Sequence, residues 1–360
     1  METFLIKASQ LILSLSILVI LHEFGHFIFA KLFKINVEEF GFGFPPRLLK
    51  IGQFRETEIT LNWIPFGAFV RMSGENDSEV KGGFGDSSII ARFMTLIGGP
   101  LFNLVMGLVL FAVIFTQVGI PDLKSVEVYG VNAGSPAELA GLQSGEQIVE
   151  VNGVAITSTD QLSKQVETNR GKEITIKLRS ADGQEHIVTA TPRVDPPPGE
   201  GYLGVTLVNP YKEASIVEAL PYAFRATGGY AVQLLALPGE LIRGTISAEE
   251  ARPVGPVGIY SIYSQARERD ESNANSANPE DRLNTLLILA VISVALGFTN
   301  LLPIPALDGG RLILLLPEIF LRRKVPPKVE NIINMVGFVA LIALMVVVTT
   351  MDIINPVVMP

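Results

Sequence analysis

Residues 8–30 read ASQLILSLSILVILHEFGHFIFA, an apolar run whose only ionisable side chains are His22, Glu23 and His26. A membrane-spanning helix needs about 20 such residues, and no strongly basic segment or A-x-A-like site marks this run as a cleaved signal. An ionisable side chain inside a span costs roughly 2.5–3.5 kcal/mol on the insertion scale, so His22, Glu23 and His26 together require a compensating partner. The pattern H-E-x-x-H supplies one. Positions i and i+4 of a helix share a face, so both imidazoles reach one metal ion with Glu23 beside it. A zinc centre of this kind takes two imidazole nitrogens, one carboxylate and an open position for water. The metal polarises a scissile carbonyl and acidifies the water, and Glu23 takes the proton. A buried polar network between helices is the alternative reading of the same residues.

The composition around this stretch agrees with a membrane setting. The 360-residue chain is 48% hydrophobic and 18% charged, whereas an average soluble domain is roughly 25% charged. Intrinsic disorder and an ordinary soluble enzyme are excluded. The net charge of −8 comes without a dense basic patch, which excludes a nucleic-acid partner. That charge is also localised: Ile120 to Glu280 holds 21 acidic and 13 basic residues, and the remainder holds 15 of each. A water-facing module therefore sits between apolar, charge-balanced flanks. Further uncharged runs at Phe93–Pro121, Leu283–Leu302 and Ile332–Met351 bring the expected spans to four.

Basic residues set the orientation. Lys31, Lys34, Arg47, Lys50, Arg55, Arg71, Lys81 and Arg92 follow the first span, and Arg311, Arg322, Arg323, Lys324 and Lys328 follow the third. The N-terminus offers Lys7 alone, so the positive-inside rule puts both termini and the acidic module outside.

There is no cysteine, so a metal must be held by carboxylates and the three histidines His22, His26 and His186. His22 lies nine residues before Lys31, roughly 13 Å along a helix, which places it in the membrane toward the cytoplasmic face. After the third span the chain reads NLLPIPALDGG over residues 300–310. Two prolines break the helix, and two glycines permit irregular backbone, which membranes tolerate where it lines a protein cavity. Asp308 arrives at the depth of His22 and His26 as a third ligand, or it caps the helix that begins near Arg311.

HEFGH in the first span together with NLLPIPALDGG near the end resembles the site-2 protease family of intramembrane zinc metalloproteases. More narrowly, the chain is similar to the bacterial regulator-of-sigma-E protease branch, with one PDZ domain inserted between spans two and three. GFGF (41–44), IPFGAFV (64–70), GPLFN (99–103) and GPVG (255–258) support the resemblance. It implies Zn2+ on His22, His26 and Asp308, with Glu23 as the catalytic acid/base, in a bacterial inner membrane protein whose active site lies toward the cytoplasm. It also implies that Asn300 holds substrate or a developing oxyanion, a sound role for a side-chain amide. An interhelical hydrogen bond is an equal reading of Asn300, and Asn103 carries the same two readings. Strand addition by an unwound substrate is implied at Gly41, Phe42, Gly43 and Phe44, or around Ile64–Val70. The substrates implied are single-span membrane proteins such as anti-sigma factors or remnant signal peptides.

The fold expected is thus a polytopic α-helical membrane protein with a membrane-associated β-hairpin and a β-rich PDZ insertion. Residues 1–121 form the first membrane half, 122–195 the PDZ domain, 196–282 a linker and amphipathic segment, and 283–360 the second half. Within the first loop, Glu38–Phe44 and Glu58–Met72 read as strands. The module offers strands at Val126–Val131, Gln147–Val151, Glu173–Leu178 and Glu185–Ala190, and helices at Pro136–Ala140 and Thr159–Glu167. GSPA (134–137), AGL (140–142) and SGEQI (144–148) resemble a bacterial PDZ domain, which would admit or bind peptide C-termini; GYLGV (201–205) reads as a carboxylate-binding loop or an ordinary strand. His186 reads as a surface strand residue. Pro192–Gly201 reads as a linker, 214–244 as an interfacial or spanning stretch interrupted by Pro221, Gly228-Gly229 and Pro238, and Arg267–Arg282 as disordered. The rival function is a catalytically inactive membrane-anchored PDZ adaptor with a structural metal site. Retention of Glu23, which a structural site does not need, argues against it.

Overall fold

The computed structural model describes residues 2–75, 79–247, 252–276 and 278–357. The chain divides into two compact units, residues 1–115 with 219–360, and residues 116–218. The first unit opens with helix α1 (Glu2–Leu32), then strands β1 (Val37–Phe54) and β2 (Thr57–Met72), and helix α2 (Ile89–Val118). Helices α1 and α2 meet backbone to backbone at glycines. A Cβ on Gly25 would collide with the Gly98 carbonyl, and one on Gly98 would lie 2.7 Å from the Gly25 oxygen and 2.8 Å from the Phe29 ring. Apolar helices in lipid gain little from burying more apolar surface, so small residues that allow close approach decide where they cross.

Strands β1 and β2 form the expected antiparallel hairpin; β2 matches the expected Glu58–Met72 to within one residue, β1 runs on past Phe44 to Phe54, and the register is doubled. Residues 39–42 pair with 68–71 on one edge and again with 58–61 on the other. Asn62 Nδ2 adds hydrogen bonds to the carbonyls of Phe42 (3.3 Å) and Gly43 (3.2 Å). β2 docks on α1: the Gly67 N–H points to Ser16 Oγ (3.4 Å) and the Val70 N–H donates to Glu23 Oε2 (3.1 Å).

The second unit contains β3 (Ile120–Pro121), β4 (Val126–Val131), α3 (Pro136–Leu139), β5 (Gln147–Val151), β6 (Val154–Ala155), α4 (Thr159–Thr168), β7 (Ile174–Arg179), β8 (Glu185–Ala190), β9 (Val205–Val208) and β10 (Tyr211–Lys212). The strands run β8-β7-β5-β4-β9, with β6 on β5 and β10 on β3. Alternation puts Ile174, Ile176 and Leu178 on one face, all fully buried with Val126, Val128 and Leu162. Ser135 and Ser158 cap α3 and α4 by accepting from the Glu138 and Gln161 N–H groups, the usual remedy for unpaired first-turn donors. His186 stands on β8 with Nε2 3.3 Å from Glu146 Oε1. This domain is expected from sequence to end at residue 195. The structure carries it further, because β9 returns after the linker to pair with β4.

The chain re-enters the first unit through α5 (Ile216–Arg243), followed by α6 (Pro256–Ser272), a 3₁₀ turn at Pro279–Arg282, α7 (Asn284–Asn300), α8 (Asp308–Leu321) and α9 (Pro327–Ile354). α5 is one continuous helix despite Pro221 and Pro238, with Tyr230 stacked on Phe111 of α2 at 5.4 Å between ring centres. Among the described residues three helices are long and apolar enough to cross a membrane: Phe4–Leu32, Ile89–Val118 and Pro327–Ile354. The third expected span is shorter than the sequence suggested. α7 has 17 residues, about 25 Å of helix at 1.5 Å per residue, and ends where Pro303 and Pro305 withhold backbone donors. α2 also meets α7 at glycine, since a Cβ on Gly297 would lie 2.8 Å from the Pro100 oxygen.

Arg267–Arg282, expected to be disordered, is ordered where it is described. Asp270 at the end of α6 accepts from the Asn284 and Thr285 N–H groups at 2.9 Å and so caps α7. α6 itself begins at Gly255, which has no capping side chain. Asp352 of α9 supplies the missing acceptor: its Oδ2 takes hydrogen bonds from the Gly255 and Gly258 N–H groups, both at 2.9 Å, and the side chain is fully buried. A Cβ on Gly255 or Gly258 would lie 2.7 or 2.9 Å from that oxygen, so the glycines of GPVG make room for a cap from another helix. Replacing Asp352 with Ala strands two buried donors, each worth about 1–3 kcal/mol. The thermal unfolding midpoint of Asp352→Ala in detergent should fall clearly, whereas Gly228→Ala, at an open position of α5, should hold or raise it.

Candidate metal centre

His22 and His26 stand one turn apart on α1 with rings nearly perpendicular, 84° between planes and 4.8 Å between centres. Their Nε2 atoms converge to 3.1 Å. Asp308 joins them, with Oδ2 3.2 Å from His22 Nε2 and 3.4 Å from His26 Nε2. Zinc bonds of about 2.0–2.1 Å in tetrahedral geometry put ligand atoms about 3.3–3.4 Å apart. The triangle therefore has the size of one tetrahedral face, and the residues present fit a zinc ion. No other group of histidines and carboxylates among the described residues is gathered this way. Burial fits as well: His22 and His26 are 9% and 6% exposed.

The loop between α7 and α8 delivers Asp308 and is pinned from several sides. Ala306 adopts a left-handed φ of 73°, which favours glycine and is held here by its surroundings. Its N–H meets Asn334 Oδ1 of α9 at 3.3 Å. A Cβ on Gly309 would collide with the Leu301 and Leu302 carbonyls, one on Gly310 with Ile304, and one on Gly337 with Pro305. The Gly309-Gly310 pair is therefore a packing requirement: the loop folds directly over the first turn of α8.

Helix α2 supplies the surroundings of both imidazoles from one stripe, Thr95, Gly99 and Asn103, at i, i+4 and i+8. The Thr95 carbonyl lies 2.8 Å from His26 Nδ1, which fixes the proton there and frees Nε2 for a metal. Asn103, 1% exposed, places Nδ2 3.3 Å from His22 Nδ1. Between them Gly99 leaves open space, since a Cβ there would collide with His26 Nε2 and lie 2.7 Å from His22 Nε2. Glu23 faces the same cluster, interacting electrostatically with His26, His22 and Asp308 while its Oε2 holds the Val70 N–H.

Comparison with known proteins matches residues 10–344 to peptidase family M50. The chain belongs to that family. A Clostridium acetobutylicum protein named as a zinc metalloprotease is 31% identical over 96% of this chain and 97% of its own. The zinc metalloprotease RasP of Shouchella clausii is 28% identical over 94% of this chain and 96% of its own. The PDZ domain of an SdrC-like protein from Listeria monocytogenes aligns with 24% of this chain and 88% of its own, at 22% identity and a TM-score of 0.21. This M50 chain is accordingly a zinc metalloprotease and a membrane protein.

The remaining residues singled out from sequence are placed unevenly. Asn300 ends α7 with its amide donating to Leu296 O at 3.0 Å, within its own helix. Gly41 and Phe42 lie in the doubly paired part of β1, so an added strand finds no open edge there; Phe44 pairs with Ile64. Ser16, Thr95, Gly99 and Asn334 carry no site role in the sequence reading, and Val70 enters there only within the strand Ile64–Val70. The i, i+4, i+8 spacing of Thr95, Gly99 and Asn103 in an uncharged span was the available signal for the stripe. Gly99→Ala should cut zinc retention by tenfold or more, the order lost when outer partners of a metal site are disturbed. Elemental analysis of the folded, purified protein against wild type checks this.

Proposed function

We propose that the protein is an intramembrane zinc endopeptidase that cuts transmembrane segments of single-span proteins. The observation that carries this reading is a zinc-sized triangle of His22, His26 and Asp308, whose histidines and the neighbouring Glu23 stand on α1, a helix long and apolar enough to cross a membrane. When bound there, zinc supplies Lewis acidity, drawing electron density from a scissile carbonyl and easing deprotonation of water. Glu23 takes the proton from the attacking water and returns it to the leaving amine. Until then its carboxylate is held by the Val70 N–H, which keeps it oriented.

A transmembrane substrate hides its peptide bonds in its own helix, so it must unwind to be cut. The unwound segment pairs with backbone of the hairpin. Because β2 already occupies both edges of 39–42, the stretch suited to this is Gly67–Val70, whose backbone reaches Ser16 and Glu23. Asn300, at the end of α7, turns its amide from Leu296 to the developing oxyanion.

In this reading α7 crosses the membrane together with α1, α2 and α9, in a bacterial inner membrane. Lys31, Arg55, Arg71, Arg311 and Arg322–Lys324 lie on the cytoplasmic side with the site, and both termini and the inserted domain lie outside. That domain receives peptide C-termini left by an earlier cut. A cleft of about 220 Å³ runs between α4 and β9, lined by Leu162, Val166, Leu203, Val205 and Leu207. β9 ends the sheet, so it offers an open edge for a peptide strand.

The test uses full-length protein in detergent or proteoliposomes with a single-span reporter. Glu23→Gln should keep the zinc content of wild type and lose cleavage by roughly 10²–10⁴-fold, the usual contribution of a general base. Equal cleavage by the variant would contradict the mechanism. Zinc binding by wild type with no cut in any tested span would favour an adaptor.

A further inference from the structure

The amide of Asn103 sits where a zinc ligand needs a proton acceptor, and its orientation decides whether His22 can bind metal through Nε2. The nitrogen Nδ2 lies 3.3 Å from His22 Nδ1, while Oδ1 is buried without any hydrogen-bond partner. With Nδ2 as donor, His22 Nδ1 must be the bare nitrogen and the ring proton falls on Nε2. That proton would then point at His26 Nε2 and Asp308 Oδ2, where the ligand atoms converge. A metal cannot be bound at Nε2 in that tautomer.

Amide oxygen and nitrogen have nearly the same shape, and their assignment follows from the hydrogen-bond network. Turning the Asn103 amide by half a revolution puts Oδ1 against His22 Nδ1 and moves Nδ2 to the position where the oxygen had no partner, so no hydrogen bond is lost. His22 Nδ1 then carries the proton and donates it to Oδ1, and Nε2 is free. His26 already has this arrangement, with Nδ1 against the Thr95 carbonyl at 2.8 Å.

We infer that Asn103 is a positioning residue of the metal centre, whose amide oxygen accepts the Nδ1–H of His22 and holds Nε2 toward the ion. This rests on the reading that His22, His26 and Asp308 bind zinc, and it gives Asn103 a role other than the substrate contact suggested by sequence. Its location supports the assignment. Asn103 is tied in place because its own carbonyl accepts from Ser293 Oγ of α7 at 2.8 Å. It lies two turns along α2 from Thr95, as His22 lies one turn along α1 from His26. The two helices therefore present two acceptors to two imidazoles across the space left by Gly99.

The test measures zinc affinity by chelator competition on the full-length protein in detergent, with size-exclusion and thermal unfolding as checks of fold. Asn103→Leu, which has no acceptor, should bind zinc 10–100-fold more weakly, the loss typical of outer partners of metal ligands. Asn103→Asp presents only acceptors and should stay within about threefold of wild type, since carboxylates serve this role in many zinc sites. The visible spectrum of the cobalt-loaded protein should change for Leu and be preserved for Asp. Unchanged affinity in Asn103→Leu overturns the inference, as does an Asn103→Asp protein that folds but binds as weakly as Leu. If Asn103→Leu does not fold, the Asp variant decides alone. A wild type that binds no zinc overturns both this inference and the site beneath it. A protein showing the expected affinities but cutting no reporter keeps this inference and contradicts only the protease reading.

Discussion

Everything at the metal centre depends on how closely α1 and α2 approach. Two helices in lipid have little reason to pack tightly unless their backbones can touch, and here Gly25 and Gly98 leave no room for even one methyl group between them. That contact brings the Thr95 carbonyl within reach of His26 and the Asn103 amide within reach of His22. It also seats Gly99 against the Nε2 atoms of both imidazoles. With larger residues at the crossing the imidazoles would remain on α1, but the groups that orient them would lie too far away. The glycine inside HEFGH is therefore as much a part of the site as the histidines on either side of it.

A second constraint acts at the opposite side of the centre. The chain that carries Asp308 leaves α7, turns and starts α8 among packed helices, where unpaired backbone groups are costly. The prolines at 303 and 305 give up donors that would otherwise need partners. Glycines at 309, 310 and 337 let the loop lie against α7, α8 and α9, and Asn334 takes one of its remaining N–H groups. The carboxylate arrives at a fixed point because the loop carrying it is pinned by its neighbours.

Much of this was legible in the sequence, for reasons that differ by region. HEFGH could be read because polar groups in an apolar run need a cause, and Asp308 because two prolines and two glycines flag irregular backbone. The strands at Val126–Val131, Gln147–Val151 and Glu185–Ala190 could be read because they are short runs containing β-branched residues between turn-forming segments. Less was legible where the deciding partner is distant in sequence. The order of the described residues of 267–282 rests on Asp270 meeting Asn284 and Thr285, and the start of α6 rests on Asp352, nearly a hundred residues away. The hairpin register was hidden because β2 flanks residues 39–42 twice, which no local pattern announces. The spacing of Thr95, Gly99 and Asn103 marks a common helix face, but the roles of Thr95 and Gly99 lie in a carbonyl and in empty space, which their side chains do not announce.

Catalysis here requires two imidazoles and one carboxylate to share a single zinc ion. X-ray absorption at the zinc edge of the purified wild-type protein tests this most directly. Nitrogen and oxygen donors are expected at about 2.0–2.1 Å with the scattering pattern of two imidazoles, with loss of that shell in His22→Ala and Asp308→Ala proteins that remain folded. Absence of bound zinc, or the same shell persisting in those variants, would contradict it.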